Sequence, residues 1–287
     1  LSTLIALETL RNGGNAMDAA LTASAVQCVI EPHNTGIGGD CFALYWRADH
    51  KKLYALNGSG WAPAGLSDRY LLDQGFSSVA TDSIHAVTIP GAIDAWSRLL
   101  ADHGTKSFAE ILAPAIELAE SGFVLHERAA TDWAEEEDKL RKDDGARKQL
   151  LFNDHAPRAG DLVHFPELAK TLRVLAAEGR DAFYKGSIAK TLTKFLQSQG
   201  GRHELSDFSE FSTHYVDPIK ANYRGVDLYQ IPPSGQGLTA LVLLNILEGF
   251  DTRAYDPVSA DRFHLQIEAT QLAYSVRDAF VADPAFA

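Results

Sequence analysis

The stretch "NGGNAMDAALTASAVQCVIEPHNTGIGGDCFALY", residues 12–45, decides how the chain is read. Gly13-Gly14-Asn15 interrupts a helical pattern that occupies most of residues 1–31, so the spacing predicts two helices with a break between them. Ala16 to Ile30 is apolar nearly all round, which predicts a central, buried second helix. Pro32 ends it, because a proline disfavours the helical conformation of the residue before it. Gly36 to Asp40, "GIGGD", follows as a tight turn whose glycines supply φ > 0. A phosphate-binding loop is the weaker reading. Here the glycines follow a helix and precede a strand, the reverse of that motif's order, and the Lys-Ser/Thr pair is missing. "CFALYWR" and "KKLYALN" then read as a β-hairpin, with Asn57-Gly58 as the turn that closes the second strand.

Composition narrows the function classes. The chain has 287 residues, 46% hydrophobic and 22% charged, enough for a large buried core. Its formal net charge of -12 argues against a nucleic-acid or anionic-membrane partner. No apolar run is long enough for a membrane span, since Asp18, Thr22, Ser24 and Gln27 interrupt the longest. Cys28 and Cys41 are too few for a disulfide framework or a structural zinc site, and both read as buried free thiols, with a disulfide between them left open. The chain begins at Leu1 rather than Met and shows no signal peptide, and a cytoplasmic location is the expectation.

Further along, Ser107 and Glu110 have capping-box spacing, and Phe108, Ile111, Leu112, Ala115, Ile116 and Ala119 keep helical spacing behind them. Pro114 should kink that helix or mark a false start. Residues 135–148 read as a solvated, mixed-charge helix and loop. Helices are expected at Pro166–Glu178, Ile188–Gln199, Leu238–Glu248 and Ala260–Phe280, the last with Phe263, Ile267, Leu272, Val276 and Phe280 facing inward. The class is mixed α/β.

No local set of residues carries chemistry convincingly. The ten histidines lack metal-ligand spacing, so neither a metal nor a cofactor is expected. Ser59 in "GSGWAP" is flanked by glycines but is not a G-x-S-x-G elbow, and Pro63 blocks the helix that would follow. Cys28 sits in an apolar helix and reads as core. Thr213-His214-Tyr215 resembles the start of a self-cleaving hydrolase site, in which a threonine becomes the nucleophile.

The opening stretch closely resembles the large-subunit signature of the gamma-glutamyltransferase family: a GGNAxDA helix, then E-P-H, then a G-I-G-G turn into a strand. The similarity continues in "VTIPGAIDAW" (87–96), "HGTKSFAEILAPAIELAESGF" (103–123), "AFYKGSIAKTL" (182–192), "NYRGVDLYQIPPSGQG" (222–237) and "LLNILEGFD" (243–251). The resemblance implies an N-terminal-nucleophile hydrolase with an αββα sandwich. Such a precursor cuts itself before a threonine, whose hydroxyl attacks while its freed α-amine serves as base. Residues 1–287 would then be the helix-rich large subunit, a single domain completed by a small subunit from the same precursor. No catalytic residue lies in this chain on that reading, and the nucleophile is expected after residue 287. A dimer of heterodimers is the expected assembly. "DFSEFSTHYVDPI" fits the family frame without a gap through Asp207, Phe208, Phe211, Pro218 and Ile219, which leaves Thr213 at an ordinary position and its motif a coincidence.

One departure bears on substrate. The family carries an arginine in a [DN]-x-R-E-x-A-P segment, where it holds the α-carboxylate of a glutamyl donor. Here the segment is "NGSGWAP", with Ser59 in the arginine's place and Trp61 adding apolar bulk. Asp40 and Cys41 also replace glycines common in the family's turn. A hydroxyl cannot reproduce the bidentate grip of a guanidinium. Ser59 and Trp61 are therefore the candidate substrate-binding residues. The expected substrate is a small non-glutamyl amide, as for the oxamate amidohydrolase of purine breakdown, rather than glutathione. A gamma-glutamyl enzyme with the arginine's role filled from elsewhere, and a non-catalytic ligand-binding relative, stay open as alternatives.

Overall fold

A computed structural model describes residues 1–284. In chain order, helices α1 (Ser2–Arg11) and α2 (Ala16–Ile30) lead into strands β1 (Cys41–Arg47) and β2 (Lys52–Gly58). Helices α3 (Asp68–Asp73), α4 (Ala92–His103) and α5 (Phe108–Ser121) follow, then strand β3 (Phe123–Val124). The middle holds α6 (Glu127–Glu135), α7 (Glu137–Leu140), α8 (Asp144–Leu150), β4 (Leu162–Val163), α9 (Pro166–Glu178), α10 (Arg180–Tyr184), α11 (Ser187–Ser198) and α12 (Leu205–Ser209). The last part is β5 (His214–Val216), β6 (Ile219–Tyr223), β7 (Val226–Gln230), α13 (Gly237–Glu248) and α14 (Ala260–Phe280). No described helix is long and apolar enough to cross a membrane.

These elements form two compact units. The first joins Leu1–Asp40 to Gly60–Ser212; the second joins Cys41–Ser59 to the chain from Thr213 onward.

In the first unit α2 is the central element, as its sequence predicts. Met17, Leu21, Ala25, Val26, Cys28, Val29 and Ile30 are buried, and α1, α4 and α5 pack against it. Its start is fixed by a capping box, in which the Asn15 side chain accepts from the Met17 and Asp18 N–H groups while Asp18 accepts from the Asn15 N–H. The buried Asp18 carboxylate also accepts from the Thr105 N–H at 2.9 Å, the Thr105 hydroxyl at 2.6 Å and the Lys106 N–H at 3.1 Å, so it ties α2 to the loop after α4. Burial pushes this carboxyl up, but the Thr105 hydroxyl and the backbone N–H groups outweigh it and hold the group below the usual range.

One expectation needs correction here, and a second is narrowed to one of its two alternatives. The "GIGGD" turn is closed by the Gly39 N–H donating to the Gly36 carbonyl at 3.1 Å, but Gly36, Gly38 and Gly39 do not have positive φ. An ordinary turn suffices because the Gly39 carbonyl accepts from the Gly91 and Ala92 N–H groups, capping the start of α4. Pro114 marks no false start: α5 continues through it, held by the Ser107–Glu110 capping box and by buried Ile111, Leu112, Ala115 and Ile116.

In the second unit β1 and β2 form the expected antiparallel hairpin, and β5 adds to the far side of β2, with Leu56 opposite Tyr215. β6 and β7 form a separate hairpin against which α13 packs. α14 has the predicted bounds but not the predicted orientation. Phe263, Ile267, Leu272 and Phe280 are exposed, Val276 is half-buried, and the fully buried positions are Ala269 and Ala273. Small residues four apart allow α13 to approach that side closely, which leaves the large apolar side outward. The cysteines also differ from expectation: Cys28 is buried, while Cys41 at the start of β1 is half-buried.

Candidate active site

The segment that carries Ser59 and Trp61 passes from one unit to the other between Ser59 and Gly60. In the second unit, β2 ends with Asn57 buried, and its Oδ1 accepts from the Ser59 N–H at 2.9 Å. This is the side-chain-stabilised turn that Asn57-Gly58 predicts. The Ser59 hydroxyl then stands 3.5 Å from that of Ser234, which is too long for a strong bond. Ser234 belongs to the "PPSGQG" loop, where Gly235 comes close to the Phe42 ring. Two residues on, Gln236 Oε1 accepts from Arg277 Nη1 at 3.3 Å, and the Arg277 guanidinium lies over the Tyr274 ring and pairs with Asp278. The arrangement offers two hydroxyls, each able to donate one hydrogen bond and accept up to two. It cannot grip a carboxylate bidentately from Ser59.

In the first unit, Gly60 to Ala64 is fastened along its length. A Cβ at Gly60 would stand 1.8 Å from the Ile89 carbonyl oxygen, so no side chain fits there. The Trp61 carbonyl accepts from the Ile89 N–H at 2.9 Å. The Ala64 N–H donates to Asp207 Oδ1 at 3.0 Å, while Asp207 Oδ2 accepts from the Glu204 N–H at the start of α12. The Trp61 indole is 41% exposed and meets Phe211 edge-on, with ring centroids 5.1 Å apart. Phe211 stacks on Tyr184 at 5.6 Å, and the Arg180 guanidinium covers Tyr184 at 4.6 Å. Arg180 also donates to the Phe211 carbonyl and pairs with buried Asp94. Burial works against the Arg180 charge, but the Asp94 carboxylate more than offsets it and holds the guanidinium above its ordinary range. The Tyr184 phenol, pushed up by burial, donates to the Pro90 carbonyl and accepts from the Asp94 N–H.

Sequence reasoning singled out Ser59 and Trp61 but not Ser234, nor the Phe211–Tyr184–Arg180 stack. Only spatial pairing reveals these, although "PPSGQG" and Phe211 both stand in matched segments. Thr213, the look-alike nucleophile, is buried just before β5. Among the described residues no group of three or more His, Cys, Asp or Glu side chains could hold a metal ion. Two cavities of about 470 and 440 Å³ lie in the first unit, and neither is lined by Ser59 or Trp61.

Comparison with known proteins defines the class first. The structure matches that of a cephalosporin acylase from Bacillus halodurans with a TM-score of 0.92 and 35% identity, covering 99% of this chain and 54% of that one. The fold is that of the N-terminal-nucleophile hydrolases, mixed α/β. The family model described as Gamma-glutamyltranspeptidase matches residues 2–287, and the chain belongs to that family as its large-subunit region. The glutathione hydrolase-like YwrD proenzyme of Bacillus subtilis is 35% identical over 97% of this chain and 53% of its own length. The oxamate amidohydrolase proenzyme of Klebsiella pneumoniae is 30% identical over 99% of this chain and 54% of its own. The chain thus spans about half the length of these curated relatives.

Proposed function

We propose that this chain is the large subunit of a self-processing amidohydrolase that acts on a small, non-glutamyl amide, with oxamate the first to try. The nucleophile in this reading is a threonine at the start of a small subunit cut from the same precursor. Its hydroxyl adds to the amide carbon, the amine leaves with the hydroxyl's proton, and water then hydrolyses the ester to regenerate the threonine. Two surfaces of the second unit support a covering subunit: the exposed Phe42, Leu44 and Trp46 on β1, and the apolar side of α14.

The observation that carries the substrate reading is Ser59, a hydroxyl facing the Ser234 hydroxyl where a glutamyl donor's carboxylate needs a guanidinium. Losing a charged hydrogen bond costs about 1.5–3 kcal/mol of donor affinity. A second reading, hydrolysis of glutathione-like donors, has one observation in its favour: Arg277 reaches Gln236 in the Ser234 loop and could supply the cation in place of the arginine.

The test begins with intact mass and N-terminal sequencing of every polypeptide in the purified protein, which should reveal a second chain that starts with threonine. Steady-state assays with oxamate, other small amides and a gamma-glutamyl anilide then separate the readings. A small amide should exceed the anilide by at least about tenfold in kcat/KM, or about 1.4 kcal/mol. Anilide turnover that Arg277→Gln abolishes would decide for the second reading, and an uncut, inactive chain would defeat both.

A further inference from the structure

We propose that Gly60, Phe211, Tyr184 and Arg180 are positioning residues for the Trp61 indole, so that the ring is presented as a rigid wall rather than as a mobile surface side chain. The proposal rests on the reading of Trp61 as a substrate-facing residue and adds what holds it in place. Burial rises from Trp61, 41% exposed, through Phe211 at 2% to Tyr184 at 0%. The indole thus stands out from a buried base. Arg180, Tyr184 and Trp61 each have a contact outside the stack. Arg180 is held by Asp94 and Asp181, by the Phe211 carbonyl and by the Tyr184 face. Tyr184 is pinned through its hydroxyl to the Pro90 carbonyl. Trp61 is held along its backbone on one side by Ile89, and three residues on by the Ala64 bond to Asp207. Gly60 allows that approach, since any side chain there would collide with the Ile89 carbonyl. A wall of this kind limits the width of the acyl group accepted, because supporting contacts that lock a rotamer keep a pocket's dimensions fixed.

The experiment follows Trp61 directly in the complete gene product. The fluorescence of the protein minus that of Trp61→Phe isolates the indole's anisotropy and its quenching by acrylamide. Phe211→Leu, which removes the edge contact but keeps an apolar side chain, should lower that anisotropy and raise quenching about twofold, with Phe211→Tyr restoring both. For oxamate, or whichever small amide proves to be turned over, Phe211→Leu should raise KM by about threefold to tenfold with little change in kcat, the sign of lost uniform binding. Gly60→Ala should move the same signals further, and if it does not fold, Phe211→Leu decides. An unchanged Trp61 signal in folded Phe211→Leu overturns the positioning role. A loosened indole with KM unchanged in both Phe211→Leu and Trp61→Phe upholds the positioning role and instead overturns Trp61 as a substrate residue.

Discussion

Helices α2 and α14 both carry large apolar side chains at helical spacing, yet they end in opposite environments. α2 buries ten of its fifteen residues, including Val26 and Val29 with no exposure, because α1, α4 and α5 enclose it. α14 buries only Ala269 and Ala273 and leaves Ile267 at 53% and Phe280 at 73% exposure. The difference teaches that apolar spacing marks a face to be covered without saying which chain covers it. α2 finds its partners within the unit, whereas the large side of α14 finds none among the described residues.

The strongest way to break this contrast is to undo the clasp on α2. Asp18→Ala would leave the Thr105 and Lys106 N–H groups, and the Asn15 N–H, without their acceptor. We expect a loss of about 3 kcal/mol or more in guanidinium melting, because several buried donors would be left unpaired at about 1–3 kcal/mol each. The folded Asp18 carboxyl lies below its ordinary value, so its stabilisation is present above the unfolded pKa of about 3.9 and fades as pH falls through the folded pKa. Asp18→Asn should therefore be most destabilising near neutral pH and approach the parent protein in acid. A difference that grows on acidification would contradict this assignment.

Next is the open face itself. Ile267→Asp with Leu272→Asp should leave the melting of this chain within about 0.5 kcal/mol, since both side chains are exposed. In the complete gene product the same pair should reduce recovery of the assembled protein in size-exclusion chromatography. Normal assembly would mean that the face is not covered. The other side of α14 sharpens the comparison in stability rather than assembly: Ala273→Leu overpacks the contact with α13 and should cost about 1–3 kcal/mol by thermal denaturation. The least consequence is expected for Thr213→Ala. The loss of its buried hydroxyl should cost about 1 kcal/mol and leave self-cleavage and activity in place, as judged by intact mass and amide turnover. Loss of both would move the nucleophile into this chain.

The legible parts of the fold are those set by near neighbours. The break at Gly13-Gly14-Asn15, the hairpin of β1 and β2 and both arms of the Ser107–Glu110 capping box follow from contacts between residues a few positions apart. Of the candidate site, Ser59 and Trp61 were singled out by the resemblance alone, Ser59 at the place of an arginine and Trp61 for its apolar bulk. The five-residue α10, which carries Arg180 and Tyr184, was missed because one turn and a half of helix leaves too short a pattern to read. The three-residue β5 was missed for the same reason, and its pairing with β2 joins segments far apart in the chain.

What the sequence determined by itself was where the longer helices start and stop and which strands turn back on each other. These depend on backbone sterics, caps and residue identity, all written locally. Only the tertiary structure decided that Ser59 faces Ser234, that Gly60 lies against the Ile89 carbonyl and that Trp61 rests on Phe211. It also decided that the alanine side of α14, not its larger apolar side, is buried within this unit. The reason is that burial is non-directional and proportional to area, so a pattern fixes how much surface seeks cover, while shape and long-range packing choose what meets it.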